Sequence, residues 1–367
     1  MTKHYQICTT CVMDTSDPDI TFNSEGQCNH CRDAKALIAE KGYRRGASES
    51  ELESLVEAIK KDGDGREYDC ILGMSGGVDS SYLAHLGAKL GLRILGVHID
   101  AGWNSDIAVG NIQKLCDKLH IDLETVVIDW PAMKELQRAY MFSGLPNLDV
   151  PQDHVFAFSV YDFARMNNIK YVLYGGNYAT EAILPKAWGQ DAFDFVSLKS
   201  VYAEHGRGER ILDKIPHFSY ASFFDFKKRT HYARLLNYID YSKSEAIELL
   251  EKEYGWKYYG GKHFESRFTK FFQSYYLPEK FGYDKRRAHF SSLIVNGEMT
   301  RDDALRSLEA KYAYPLEEIL EDLDYITKKL DITQGEWDAI MESPVKSVYD
   351  YKSYRGVKDA VSKLMTR

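Results

Sequence analysis

The stretch GMSGGVDSS, residues 73–81, constrains this chain more than any other. It follows the apolar run YDCIL and precedes SSYLAHLGAKLG, which reads as a helix ended by Gly91. A strand that breaks into two glycines and then a helix builds an anion cradle. Gly76 and Gly77 let backbone N–H groups close on a phosphate, and the helix start adds more donors and the positive end of its dipole. Ser75, Ser80 and Ser81 add hydroxyls. A loop of the G-x-x-x-x-G-K-[ST] type places a lysine on the β- and γ-phosphates. Here there is none, and Asp79 stands in the loop instead. An acid beside a polyphosphate makes chemical sense if Mg²⁺ lies between them.

The surrounding pattern predicts an α/β fold. RILGVHID reads as a second strand, a helical stretch covers about 104–119, LETVVID reads as a strand, and a helix near 153–166 leads to the strand YVLYGG. Short apolar strands separated by helices predict a parallel sheet covered on both faces, with ligands at the strands' C-terminal ends. Ser48 with Glu51, and Ser242 with Glu245, are expected capping boxes for two further helices. After about residue 200 the strand signal fades and helical period dominates. Three regions are therefore expected: a cysteine-paired segment 1–45, a nucleotide-binding domain 46–200 and a mostly helical substrate and partner region 201–367.

The cysteine-paired segment has too few apolar residues for a core. It carries CTTC (Cys8, Cys11) and CNHC (Cys28, Cys31), knuckles separated by 16 residues. That spacing suits a closed, structural Cys₄ zinc site, because four protein ligands leave no open position for water. A Cys₃His site using His30, or an iron–sulfur cluster, remains open at this point. Cys70 and Cys116 read as buried packing cysteines. Paired cysteines of this kind point to a reducing cytoplasm, and neither a signal peptide nor a membrane span is expected. A net charge of −8, with Lys3 alone among basic residues before Arg32, argues against a nucleic-acid partner.

Residues 254–290 hold eight Lys or Arg among many aromatics. Phe264, Phe268, Phe271, Phe272 and Tyr275 fall at helical spacing and are expected to bury an aromatic face. Lys262 with His263, Lys280, and Lys285, Arg286 and Arg287 are candidates to complete the phosphate or carboxylate site that the loop leaves without a cation.

S-G-G-x-D-S after a first strand resembles the PP-loop of the ATP pyrophosphatases, an adenine nucleotide alpha-hydrolase-like fold. Those enzymes split ATP between its α- and β-phosphates, so the resemblance implies that the loop holds the departing pyrophosphate. It implies nucleotide contacts from Met74, Ser75, Gly76, Gly77, Asp79, Ser80 and Ser81, from Asp100 at the end of GVHID, and from Gly175, Gly176 and Asn177 in YGGNYATE. It also implies Mg²⁺ on Asp79 and Glu181. Taken with the cysteine knuckles and YYGGKHFESRFTKFFQSYYLPEKFGYDKRRAH, nearly the whole chain resembles the N-acetyl sugar amidotransferases of bacterial O-antigen and flagellar sugar biosynthesis. That resemblance implies a nucleotide-sugar substrate, such as a UDP-linked diacetamido uronic acid or a nonulosonate, whose acetamido group becomes an acetamidino group. Asp79, Glu181, Lys262, Lys285 and Arg286 are the expected catalytic residues. No G-x-C-x-G elbow occurs and residue 2 is Thr, so ammonia is expected from a separate glutaminase subunit. The alternative is a tRNA thiolase of the same PP-loop class.

Overall fold

A computed structural model describes residues 4–41, 49–189, 191–208 and 210–354; Ser48, the expected partner of Glu51 in a capping box, lies outside them. Five strands form one parallel sheet: β1 Cys70–Gly73, β2 Ile94–Asp100, β3 Asp122–Val127, β4 Tyr171–Leu173 and β5 His231–Ala233. Their order is β3-β2-β1-β4-β5. The chain thus runs outward on one side of β1, then returns to build the other side. Such a reversal opens a crevice at the strands' C-terminal ends, here between β1 and β4.

Alternate residues of β1 feed opposite cores. Ile71 packs on the side of helices Trp130–Phe142 and Val150–Met166, with Leu136, Tyr140 and Val155. Cys70 and Leu72 pack on the other side, with Leu83, Ile112 and Cys116 from helices Val78–Lys89 and Asp106–Leu119. Both lone cysteines are buried there as packing residues.

Three features differ from the sequence reading. Helix Trp130–Phe142 was not expected. Asp129 caps it and Pro131 starts it, but it is buried on nearly every side, so it shows no clean apolar stripe. The sheet does not stop at residue 200: helix Phe195–His205 crosses that point, and β5 pairs with β4 from 231 onward. The Ser242–Glu245 capping box does not form, because the Ser242 hydroxyl bonds Ser244 at 3.0 Å and makes no cap to helix Lys243–Tyr254. The aromatic run does bury Phe268, Phe271 and Phe272, through helix Arg267–Phe271 and the π-helical turn Phe272–Tyr276.

Candidate active site

The loop after β1 turns sharply at Gly76, whose φ is +76°. A Cβ there would stand 2.5 Å from the Ala108 carbonyl oxygen, so no side chain fits. Helix Val78–Lys89 starts immediately afterwards, with Gly77 as its N-cap residue and no side-chain cap. Its first amides are therefore left to other partners. The Ser75 hydroxyl lies 2.9 Å from that of Ser80 and accepts the Gly77 N–H at 3.2 Å.

Loop and crevice open on a cavity of about 690 Å³. Met74, Ser75, Gly77, Asp79 and Ser80 line it from β1, Gly175, Gly176 and Glu181 from beyond β4, and Lys243, Lys262, His263, Glu265 and Lys285 from the C-terminal region. Its lining is partly apolar and aromatic, with Phe156, Val160, Tyr174, Phe226 and Tyr232. It is also partly polar, with Asn147, Asp149, Gln152, Asp153 and Gln273. A second cavity of about 410 Å³ shares Lys243, Lys262, Gln273 and Lys285 with the first.

Charge in this cleft is tightly arranged. Tyr241 donates its hydroxyl to Asp79 Oδ1 at 2.6 Å. The Lys262 ammonium lies 2.8 Å from Glu181 and 3.3 Å from the Thr180 hydroxyl. Burial works against that ammonium, but Glu181 and Asp79 outweigh it and hold its pKa above the usual lysine value. Burial pushes Lys285 below its ordinary value despite Asp149 and Asp153 nearby. It pushes His289 far down as well, helped by Lys262, His263 and Lys285, so that imidazole stays neutral. Burial, with Asp153 nearby, lifts Asp149 well above the carboxylate range; Asp153 opens on the cavity, and desolvation within the cleft lifts it to about 6.

Several expected site residues lie elsewhere. Arg286 bonds Asp284 at 2.7 Å and the carbonyls of Ala310 and Tyr312 at 2.9 and 3.1 Å, so its guanidinium clamps a turn and stays out of the main cavity. Lys280 binds the Ser343 carbonyl at 2.8 Å, at the end of helix Gln334–Glu342. Asp100 accepts the Gly102 N–H at 2.8 Å and does not line the cleft. Asn177 is buried and caps the turn Tyr178–Glu181 through the Thr180 N–H. Ser81 faces the core and accepts Trp256 Nε1 at 3.1 Å. Gly76 shapes the loop without lining the cavity.

The four knuckle cysteines meet. Cys8, Cys11, Cys28 and Cys31 are buried with their sulfurs within 4.8 Å of one another. Cys8 and Cys31 are 3.7 Å apart, and Cys11 and Cys28 are 3.6 Å apart. A tetrahedron with zinc–sulfur bonds of about 2.3 Å has edges of roughly 3.8 Å, so the set fits a closed tetrahedral metal. Backbone N–H groups of Cys11, Cys28 and Cys31 point at the sulfurs. His30 pairs with Asp17, which leaves the cysteines as the donor set. Arg301 holds the Cys8 and Cys11 carbonyls, and Arg287 pairs with Asp14 at 3.0 Å.

Against known proteins, two family models match. One, described as the C-terminal domain of a WbpG-like LPS biosynthesis protein, matches residues 265–365; the other, NAD synthase, matches residues 49–211. The two matches, side by side along the chain, support the WbpG-like family of the PP-loop superfamily. Its sheet domain is thus of an ATP-using kind. A curated relative, the tRNA-specific 2-thiouridylase MnmA of Helicobacter hepaticus, is 39% identical over 56 residues, 14% of this chain. The chain covers only 16% of that relative's length. Among solved structures, NMN synthetase from Francisella tularensis is 18% identical with a TM-score of 0.31, over 58% of this chain and 88% of that one. The NH3-dependent NAD synthetase from Campylobacter jejuni is 15% identical with a TM-score of 0.30, over 57% and 93%. No helix among the described residues is long and apolar enough to cross a membrane.

For a PP-loop protein, the cleft fits ATP with Mg²⁺. The glycine turn leaves an open cradle, Lys243 and Lys262 bring cations to it, and a Cβ on Gly175 would sit 3.4 Å from the Ser80 amide. One carboxylate oxygen also lacks a partner: Glu265 Oε2 is buried without a hydrogen bond. Sequence reasoning passed over Glu265, and over Lys243, Tyr241, Asp149 and Asp153. Glu265 had been visible only as one acid in an aromatic run.

Proposed function

We propose that this chain is an ATP-dependent, AMP- and pyrophosphate-forming amidotransferase. Its substrate would be a nucleotide-activated N-acetyl sugar destined for lipopolysaccharide O-antigen or a flagellar glycan. The observation that carries this reading is a division of labour. The loop after β1 offers amides and an acid but no lysine, and residues 243–285, leading into the stretch matched by the WbpG-like model, bring Lys243, Lys262 and Lys285 to the same cavity.

An amide does not accept ammonia, because its oxygen is a poor leaving group. In the proposed reaction the acetamido oxygen attacks the α-phosphorus and pyrophosphate departs. Ammonia then adds to the imidate carbon, and the oxygen leaves with AMP. Mg²⁺ held near Asp79 would neutralise charge on the phosphates. Loop amides, Lys243 and Lys262 would receive the pyrophosphate. The apolar and aromatic lining suits a base, and Asp149, Gln152 and Gln273 in the same lining suit the hydroxyls and amides of a sugar. Asp153, which lines the cleft and has a raised pKa, would take the proton that ammonium loses. A separate glutaminase would supply ammonia, and the second cavity, which shares Lys243, Lys262, Gln273 and Lys285 with the first, would be its route to the cleft. Zinc would fill the cysteine cluster as a structural ion.

A second reading, tRNA thiolation, has one observation in its favour, the short match to the 2-thiouridylase. Against it, Cys70 and Cys116 are buried in the core beside the sheet, and burial raises both thiols, Cys116 to about 11. Neither lines the cleft.

The test is pyrophosphate release from ATP and Mg²⁺ with ammonium chloride. One arm carries a panel of UDP- and CMP-linked acetamido sugars, the other bulk tRNA with sulfide. Release with one sugar, and a product in which NH replaces O by mass, is expected. Release with tRNA alone would overturn the reading in favour of thiolation.

A further inference from the structure

Residues 257–267 cross the cleft as a strap fastened at both ends. Lys257 exchanges two 2.8 Å hydrogen bonds with the Asn111 side chain. At the far end the Ser105 N–H donates to the Glu265 carbonyl at 2.9 Å, Asn104 bridges Ser266, and the Arg267 N–H reaches the Trp103 carbonyl at 3.0 Å. In between, Val78 in the first turn of the loop helix donates its N–H to the Tyr259 hydroxyl at 3.1 Å. The strap therefore rests on the phosphate loop itself.

Glu265 sits where strap and loop meet. A Cβ on Gly77 would lie 3.1 Å from its Oε1 and 3.4 Å from the Tyr259 hydroxyl. Oε1 has His263 Nδ1 at 3.6 Å, and Oε2 is buried with no hydrogen-bond partner. Burial opposes its ionisation, yet His263 and Tyr259 keep its carboxyl below the usual range, so it is an anion. An anion pressed against a loop built for phosphate repels its ligand unless a cation lies between them. Glu181, the acid that the sequence offers for that task, already holds the Lys262 ammonium.

We propose that Glu265, together with Asp79, ligates the divalent cation that accompanies a polyphosphate into this loop, while Glu181 serves to hold Lys262. The inference rests on the nucleotide reading given above. Oxygen donors on a hard divalent ion match Mg²⁺ or Mn²⁺. The site is then completed by a residue outside the sheet domain, so cation and strap close on the nucleotide together.

The test uses the full chain with Mn²⁺ and ATP. Affinities are measured by calorimetry, with and without EDTA, and bound Mn²⁺ is followed by its electron paramagnetic resonance. Glu265→Gln keeps the side chain's shape and is expected to weaken Mn²⁺·ATP binding by about tenfold or more, with an altered Mn²⁺ spectrum. Metal-free ATP is expected to bind that variant as well as the native chain or better. Glu265→Asp, which keeps the charge, should fall between the two. Unchanged Mn²⁺·ATP affinity in Glu265→Gln overturns the proposal. So does equal tightening with and without metal, which would make Glu265 only a plug. A loss confined to Glu181→Gln would move the cation to Glu181 and overturn it too. A native chain that binds no Mn²⁺·ATP at all overturns the nucleotide reading, and this inference with it.

Discussion

The Lys262 ammonium and the Glu181 carboxylate meet at 2.8 Å in the wall of the cleft, with side chains only 12% and 22% exposed. Two residues that the sequence presented as independent catalytic candidates are thus one buried ion pair. Removing one partner strands the other. Lys262→Met is expected to lower unfolding free energy by about 3 kcal/mol, and Lys262→Met with Glu181→Gln by clearly less. Urea unfolding of the two variants checks this; equal losses would mean that the pair is not coupled.

Lys285 and Arg286 adjoin in sequence but should answer differently to substitution. Arg286→Ala removes the clamp on the Ala310 and Tyr312 carbonyls. It is expected to cost about 1–3 kcal/mol of stability while sparing turnover per folded molecule. Lys285→Met is expected to keep the melting temperature and to lose turnover by about a hundredfold. Pyrophosphate release set against a thermal melt separates the two, and the reverse pattern would return Arg286 to the reaction.

Cys8→Ser is expected to lower bound metal and thermal stability together. Zinc measured by mass spectrometry should fall well below one ion per chain, and the melting temperature by about 5 °C or more. Treating the native chain with a chelator should reproduce the shift. Unchanged metal content would contradict the four-sulfur set.

Desolvation inside the cleft raises Asp153 to about 6 from an ordinary carboxylate value of 3.8, even though its side chain opens on the cavity. The folded chain therefore binds this proton more tightly than the unfolded chain does, and ionised Asp153 destabilises the fold above pH 6. Asp153→Asn should be the more stable protein at pH 8. Its advantage should shrink as pH falls through about 6 and vanish near 4. Melting curves across that range check the sign; an advantage that grew at low pH would refute the assignment.

The parts of the site that the sequence made legible are those with fixed local spacing. Two glycines, an aspartate and a serine after an apolar run can build little other than an anion loop. Paired C-x-x-C knuckles likewise carry their geometry with them. What stayed hidden depends on distant contacts. Val78 and Tyr259 are 181 positions apart, so nothing local marks Glu265 as a neighbour of the loop. β5 spans only His231–Ala233 and takes its identity from β4. Arg286 shows the converse: sequence revealed its charge, but Asp284 and a distant turn decided where that charge went.

Helix Lys285–Val295 sends three consecutive basic residues in three directions. Lys285 faces both cavities, Arg286 grips the turn near 310, and Arg287 pairs with Asp14 beside the cysteine knuckles. The cysteine cluster and the cleft are thus mounted on one beam. An ion held by the four sulfurs would then brace the lysine that faces the cleft without ever meeting a substrate.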